Sequence, residues 1–228
     1  MTTGTSISQP SPDELKVTAH QQYDTPEHLT PENVLPDPLA QFRQWFTAVQ
    51  SSVREPEAMT VCSATASGVP SARTVLLKQV DSLGFVFYTN YTSRKSRELA
   101  ENPRAALNFY WREVSKQVRV VGRVERVARE ESEEYFHSRP LGSQIGAWAS
   151  RQSSEVAEGE VQARAEKLKQ RFGDQVPAPE FWGGWRIIPD EVEFWLGKPS
   201  RLHDRVLYTR VEGSPDDAPQ WKIARLAP

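Results

Sequence analysis

An antiparallel β-barrel carrying peripheral helices, mainly β within the α+β class, is the fold that the sequence predicts. Three observations predict it: six to nine short runs of β-type composition, helical patterns confined to a few separate stretches, and no regular strand–helix alternation of the kind that builds a parallel sheet. At 228 residues the chain can bury a core without a disulfide or metal staple.

The elements follow in order. Residues 1–36 hold Ser, Thr, Pro and acids with no apolar run, and no arginine precedes Arg43. They are expected to form a flexible N-terminal arm ahead of a single domain at 37–228, with neither a secretory signal nor an Arg-rich transit peptide. Within the arm, Tyr23 and its surroundings are the part able to order on binding. Asp37 and Pro38 read as an N-cap and a first helical residue, and Leu39, Phe42, Phe46 and Val49 then recur on one helix face. Beyond Pro56 come strands at 58–66, 72–80 and 84–91, separated by Gly68-Val69-Pro70 and Asp81-Ser82-Leu83-Gly84. Ser93 opens a short helix that ends near Asn102-Pro103, and strands at 104–111 and 117–127 follow. In the second of these, Val118, Val120 and Val124 share one side, with Gly122 between the last two, while Arg119, Arg123 and Glu125 take the other. Residues 130–137 are helical in composition and stop near Arg139, because Pro140 disfavours helix at the residue before it. Val161, Ala165, Leu168 and Phe172 mark another amphipathic helix, 173–179 a loop, and strands at 185–188, 191–196, 205–211 and 220–225 close the chain.

Composition excludes several functions. Net charge is -2 and the pI near 6.1, which argues against a nucleic-acid coat or an anionic-membrane binder. Mean hydropathy is -0.61, and no run approaches the roughly 18 apolar residues of a membrane span. Cys62 is the single cysteine, and His20, His28, His137 and His203 show no metal-ligand spacing, so no metal is expected. The lone cysteine and the absent signal fit a cytoplasmic protein. Neither GxGxxG nor GxxxxGK[ST] occurs, so bound phosphates must be held mainly by side chains.

Five segments could do this. Arg73-Thr74-Val75-Leu76-Leu77-Lys78 puts a cation at each end of an apolar strand, suited to two anionic groups or simply a strand with charged ends. In 88–95, a strand feeds a helix start where Arg94 and Lys95 oppose the helix dipole unless an anion is bound; a solvated charge pair reads equally well. Tyr135, Arg139 and Ser143, at four-residue intervals, offer phosphate donors along a helix end and the turn after it, or form plain helix surface. Residues 144–153 combine small residues, Trp148 and the donors Gln152 and Ser153. Arg201 and Arg205 flank His203 shortly after Trp195, an arrangement that holds a planar ligand or an ion-paired hairpin around Asp204. Together they point to more than one phosphorylated planar ligand.

The ordered motifs RTVLLK at 73–78, FYTN at 87–90, SRK at 93–95, QVRVVG at 117–122, YFHSRP at 135–140, SQIGAWASRQS at 143–153, FWGGWR at 181–186, RLHDR at 201–205 and the terminal RLAP carry a resemblance to the pyridoxamine (pyridoxine) 5'-phosphate oxidase family, from about Leu39 to Pro228. That resemblance implies a split β-barrel, a homodimer with FMN in clefts at its interface, and oxidation of pyridoxamine or pyridoxine 5'-phosphate to pyridoxal 5'-phosphate, with O₂ as acceptor and hydrogen peroxide released. It implies FMN contacts at Arg73, Thr74, Val75, Leu76, Leu77, Lys78, Tyr88, Thr89, Arg94, Lys95, Gln117, Gln152, Ser153, Trp195 and Arg205. It places the vitamin phosphate against Lys78, Tyr135, Arg139 and Ser143, and Arg201 and His203 over the pyridine ring as the catalytic pair. Tyr23 alone is carried over from the arm as substrate-binding. The chain departs from the family pattern at Leu141, at Leu196 and in the arm's His20-Gln21-Gln22. The alternatives are a split-barrel flavin reductase, which would not be expected to carry both YFHSRP and RLHDR, and a flavin or pyridoxal-phosphate carrier without turnover.

Overall fold

A computed structural model describes residues 7–11, 13–17 and 22–228. The order of elements is β1 (Ile7–Ser11), β2 (Glu14–Val17), α1 (Pro38–Val49), β3 (Ala58–Ala64), β4 (Pro70–Leu76), β5 (Gln79–Val80), β6 (Phe85–Asn90), α2 (Arg94–Glu101), β7 (Arg104–Trp111), β8 (Lys116–Arg126), α3 (Arg129–Ser138), α4 (Leu141–Ala149), α5 (Glu160–Phe172), β9 (Trp182–Leu196), β10 (Asp204–Arg210) and β11 (Trp221–Arg225). Every strand pairing among the described residues is antiparallel. The main sheet runs β11-β10-β9-β8-β7-β3-β4, and β6 joins β5 to β9, so the strand path 70–80 bends and closes a barrel.

The split arises in β9. Its first half pairs with β6 and its second half with β10, while β8 pairs along both. The sequence pattern suggests two strands at 185–188 and 191–196; they are one, interrupted by a bulge where Val121 faces Glu191 and Gly122 faces Pro189. Proline has no N–H for the ladder, so a bulge is where a strand can carry it. A Cβ on Gly122 would lie 2.0 Å from the Ile188 carbonyl oxygen, so only glycine lets β8 pass there.

The alternation in β8 is as expected: Val118, Val120 and Val124 are buried and Arg119 and Arg123 are not. Asp37 caps α1, its carboxylate accepting the N–H groups of Leu39 and Ala40. The buried face of α1 inserts Phe42 edge-on to Phe85 at 4.9 Å and Trp45 edge-on to Phe194 at 5.1 Å, filling the barrel with aromatic area. A second cluster, Phe136, Ile145, Val176 and Trp182, lies beneath α3–α5.

Two stretches depart from the sequence pattern. Residues 141–149 form α4, although Gly142 and Gly146 lower their helix propensity. Packing of Ile145 and Ala149 outweighs that deficit. In the arm, β1 and β2 pair with each other, and Tyr23, Thr25, Leu29 and Leu35 bond to residues of the barrel and the loop after β9. Leu29 is buried and donates its N–H to Asp204, and Tyr208 donates its hydroxyl to the Leu35 carbonyl at 2.6 Å. These anchors are backbone groups of the arm, which composition does not reveal. His20 and Gln21 lie outside the described residues. No helix among the described residues is long and apolar enough to cross a membrane.

Candidate active site

Between the exposed edge of β4, the end of β6, the start of α2 and the α3–α4 corner lies a cleft of about 1000 Å³. Among its lining residues are Arg73, Thr74, Val75, Leu76, Lys78, Tyr88, Thr89, Arg94, Lys95, Tyr135, Arg139, Ser143, Gln152 and Ser153, all singled out in the sequence. Leu77 is the exception in its run: at the bend between β4 and β5 its side chain is buried in the core.

One end of the cleft is cationic for a structural reason. Ser93 caps α2, and the free Arg94 N–H is taken by Ser153 Oγ at 3.1 Å. The buried Lys95 ammonium reaches three neutral oxygens: Thr89 Oγ1 at 3.1 Å, Gln152 Oε1 at 3.1 Å and Ser93 Oγ at 3.4 Å. Burial, helped by the charge on Arg73, pulls its pKa down to about 8. Beneath it, burial would raise the pKa of the Glu98 carboxyl, but hydrogen bonds from Ser63, Ser71 and Arg94 hold it down at about 2. Glu98 fixes both guanidiniums: Arg94 Nε donates to it at 2.8 Å, and Arg73 stands at 3.5 Å while also donating to Ser63 Oγ at 2.7 Å. Three cations thus gather at a helix start, two of them paired with the one carboxylate and Lys95 with neutral oxygens alone, a ready anion site.

This arrangement gives a pH dependence. A phosphate dianion held here would pair with the protonated Lys95, so affinity for a phosphate-bearing ligand is expected to fall as pH rises through 8, by at most about tenfold per unit. Lys95→Met should bind weakly and lose that slope; titrating a phosphate-bearing ligand into the protein between pH 7 and 9.5 measures both. The unliganded fold has the opposite trend. A lysine lowered from its ordinary 10.5 to about 8 leaves the unfolded chain with more bound protons between those values, so its contribution to stability rises with pH across that window.

The other end is aromatic and holds a second cation. Tyr88 and Tyr135 stack at 4.0 Å, and Trp182 stacks on Tyr88 at 5.5 Å. Burial raises the pKa of both phenols, so they stay protonated donors. The Arg139 guanidinium lies 4.7 Å over Trp182, with its Nη1 buried and unpartnered. Arg139 is not on a helix but in extended backbone between α3 and α4, held by Gln144, whose side-chain amide donates to the Arg139 carbonyl at 2.8 Å. An unpaired buried donor is costly and points to a ligand oxygen.

The remaining predicted residues gather elsewhere. Tyr110, Gln117, Trp195 and Arg205 form one row across β7, β8, β9 and β10. Tyr23 donates to or accepts from the Tyr110 hydroxyl at 2.9 Å and packs edge-on to Trp195 and His203. The close seat of Tyr23 depends on Gly197, where a Cβ would lie 2.6 Å from its ring. Gln22, Tyr23, Trp195, Lys198, Arg201 and His203 line a pocket of about 240 Å³. Ahead of β10, Pro199–Arg201 is a 3₁₀ turn with Ser200 and Arg201 at positive φ, and this turn, rather than strand alternation, brings Arg201 to the pocket. His203 Nδ1 accepts the Lys198 N–H at 3.0 Å, and burial with the nearby Arg201 and Arg205 charges lowers its pKa. The neutral ring therefore carries its proton on Nε2. None of Tyr23, Gln117, Trp195, Arg201, His203 and Arg205 lines the large cleft.

Comparison with known proteins decides the family. A model described as "Pyridoxamine 5'-phosphate oxidase" matches residues 46–176, and one described as "Pyridoxine 5'-phosphate oxidase C-terminal dimerisation region" matches 182–228. The chain belongs to the pyridoxamine 5'-phosphate oxidase family. Relatives named pyridoxine/pyridoxamine 5'-phosphate oxidase are 53% identical in Bordetella petrii and 54% in Burkholderia pseudomallei, each alignment covering 88% of this chain and 93% of the relative. Among solved structures, PhzG from Burkholderia lata, in complex with tetrahydrophenazine-1-carboxylic acid, superposes with a TM-score of 0.81 at 31% identity, over 89% of this chain and 98% of that one. A pyridoxamine 5'-phosphate oxidase-related, FMN-binding protein from Nostoc punctiforme shares the fold at a TM-score of 0.67 and 13% identity, over 84% and 98%.

The division of the site follows the family's two regions. The large cleft is built mainly from the first, and the small pocket mainly from the dimerisation region, which contains Trp195, Arg201, His203 and Arg205. Sequence reasoning missed Ser71, Asn90, Ser150 and Trp182 in the cleft, and Tyr110 beside Tyr23. Asn90, Ser150 and Trp182 sit inside the quoted FYTN, SQIGAWASRQS and FWGGWR motifs; Ser71 and Tyr110 carry no signal beyond their strand position.

Proposed function

We infer that this chain oxidises pyridoxamine 5'-phosphate or pyridoxine 5'-phosphate at C4' to pyridoxal 5'-phosphate, with FMN as cofactor and O₂ as acceptor. The observation that carries this reading is the pair of separated cationic ends in one cleft of an acidic protein, the Arg73–Arg94–Lys95 end and the Arg139 end. Two phosphorylated planar ligands account for both, and the aromatic wall of Tyr88, Tyr135 and Trp182 suits flat rings. FMN fits the donor set: the buried Lys95, with only neutral partners, and the start of α2 would hold its phosphate.

The protein's part is binding and orientation. Lys78, Tyr135, Arg139 and Ser143 hold the vitamin phosphate, remote from the reacting carbon, so binding energy there positions C4'. The chemistry supplied by bound FMN is hydride acceptance from C4', followed by electron transfer to O₂ with release of hydrogen peroxide. Arg201 presents a fixed positive fork and His203 a neutral Nε2–H donor to the ring substituents. These two lie in a different pocket of the chain from Arg139, and the 182–228 match is to a dimerisation region. A homodimer that sets the small pocket of one protomer against the large cleft of the other completes the site.

Visible absorption and oxygen uptake test this reading. The purified protein is expected to be yellow, to bind FMN in preference to riboflavin, and to consume O₂ with either vitamer phosphate. Failure to take up FMN overturns the cofactor assignment. A yellow protein inert towards both vitamers, or one that oxidises only a phosphate-free tricyclic carboxylate of the kind bound by PhzG, overturns the reaction.

A further inference from the structure

Arg205 is held by more contacts than a ladder residue needs, and the C-terminal RLAP segment supplies the unexpected ones. Its Nε donates to Glu193 at 2.7 Å, and Glu193, almost wholly buried, also accepts from Arg119 Nη2 at 2.8 Å. The Arg205 carbonyl accepts the Leu226 N–H at 2.9 Å, and its Nη1 donates to the Ala227 carbonyl at 2.7 Å. One residue further back, Arg225 crosses to Asp204 at 2.7 Å. Asp204 is 4% exposed and also accepts the Leu29 N–H at 3.2 Å.

An ordinary end of the β10–β11 pair would stop at Val206 opposite Arg225. Here the chain continues past the last pair and closes around a single guanidinium, and the buried carboxylate beside it is neutralised by a residue from the same tail. With Nε and Nη1 engaged, Arg205 has its Nη2 edge left to present to a ligand, at a fixed angle, in the row that contains Gln117 and Trp195. We propose that Arg225, with Leu226 and Ala227, is a positioning element for Arg205: by pairing with Asp204 it seats the tail that orients the Arg205 guanidinium toward FMN. The proposal rests on Arg205 facing the cofactor, as the functional reading has it.

The test is a double-mutant cycle on the full-length protein, reading the Kd of FMN by fluorescence titration of apoprotein and the apoprotein Tm. Arg205→Leu and Arg225→Leu should each raise that Kd by about tenfold, the loss expected for one charge-assisted contact. Their combination should be no weaker than Arg205→Leu alone, because Arg225 acts only through Arg205. Arg225→Lys, which keeps the pair with Asp204, should recover most of the affinity. Additive effects in the double variant, or an Arg225→Leu protein with wild-type Kd, overturn the positioning role. An unchanged Kd in Arg205→Leu instead overturns the placement of Arg205 at the cofactor, and the proposal with it. If Arg225→Leu does not fold, Leu226→Pro, which removes the N–H donated to the Arg205 carbonyl, carries the same cycle.

Discussion

Arg139→Ala is expected to raise KM for the phosphorylated vitamer by roughly ten- to hundredfold while leaving FMN content unchanged. The guanidinium stands over Trp182 with one nitrogen buried and unpaired, so in the unliganded protein it bears a desolvation cost that only an incoming acceptor offsets. Burial lowers its pKa, yet an arginine stays charged at any working pH. Losing a charge-assisted contact costs about 1.5–3 kcal/mol, which is the predicted range at a factor of ten per 1.4 kcal/mol. The effect falls on KM because the phosphate is held alike in ground and transition states. Its separation from Lys95 is what makes the variant informative. FMN titration and steady-state kinetics on the same preparation measure it; loss of flavin with unchanged KM would reassign the two ends of the cleft.

How far the sequence reaches is clearest at these two ends. The strand periodicity of 117–127, the Asp37 and Ser93 caps and the run 104–111 are local signals, and the structure follows them closely. The two readings of Arg94 and Lys95, a bound anion or a solvated charge pair, came from local chemistry as well, the conflict between a cation and a helix start. What local pattern could not show is non-local. Glu98 reads as an ordinary helix residue, yet it is the buried carboxylate that organises Arg73 from another strand. The Gly-containing segment 141–149 is helical only because of what it packs against. Arg201 and His203 do share a pocket, but through a left-handed turn whose positive φ at Ser200 and Arg201 no alternation rule anticipates. That turn also alters the physical case for the pair, because it places His203 against Tyr23 and Trp195 rather than on an open strand face.

Arg201→Leu and His203→Ala are each expected to leave the protein yellow and dimeric while depressing kcat by about two orders of magnitude. His203 is held on three sides: its Nδ1 by the Lys198 N–H, its ring by Tyr23 at 5.5 Å and by Trp195 at 4.6 Å. With its pKa lowered by burial and by two neighbouring arginines, it stays a neutral donor through Nε2 at neutral pH. A donor fixed in this way sets where a ring substituent sits, and a misplacement of about 1 Å can cost on the order of 10²-fold in rate. Arg201 is exposed in the single chain and lines the same pocket, so removing it should not unfold the turn. The competing view makes 201–205 an ion-paired hairpin around Asp204. The contacts argue against it, because Asp204 pairs with Arg225, and Arg205 pairs with Glu193. Stopped-flow reduction of the flavin under anaerobic, substrate-saturating conditions separates the two. Slow reduction at unchanged Tm and flavin content places the pair at the reacting ring. Wild-type reduction rates with a lowered Tm would make both residues supports of the turn alone.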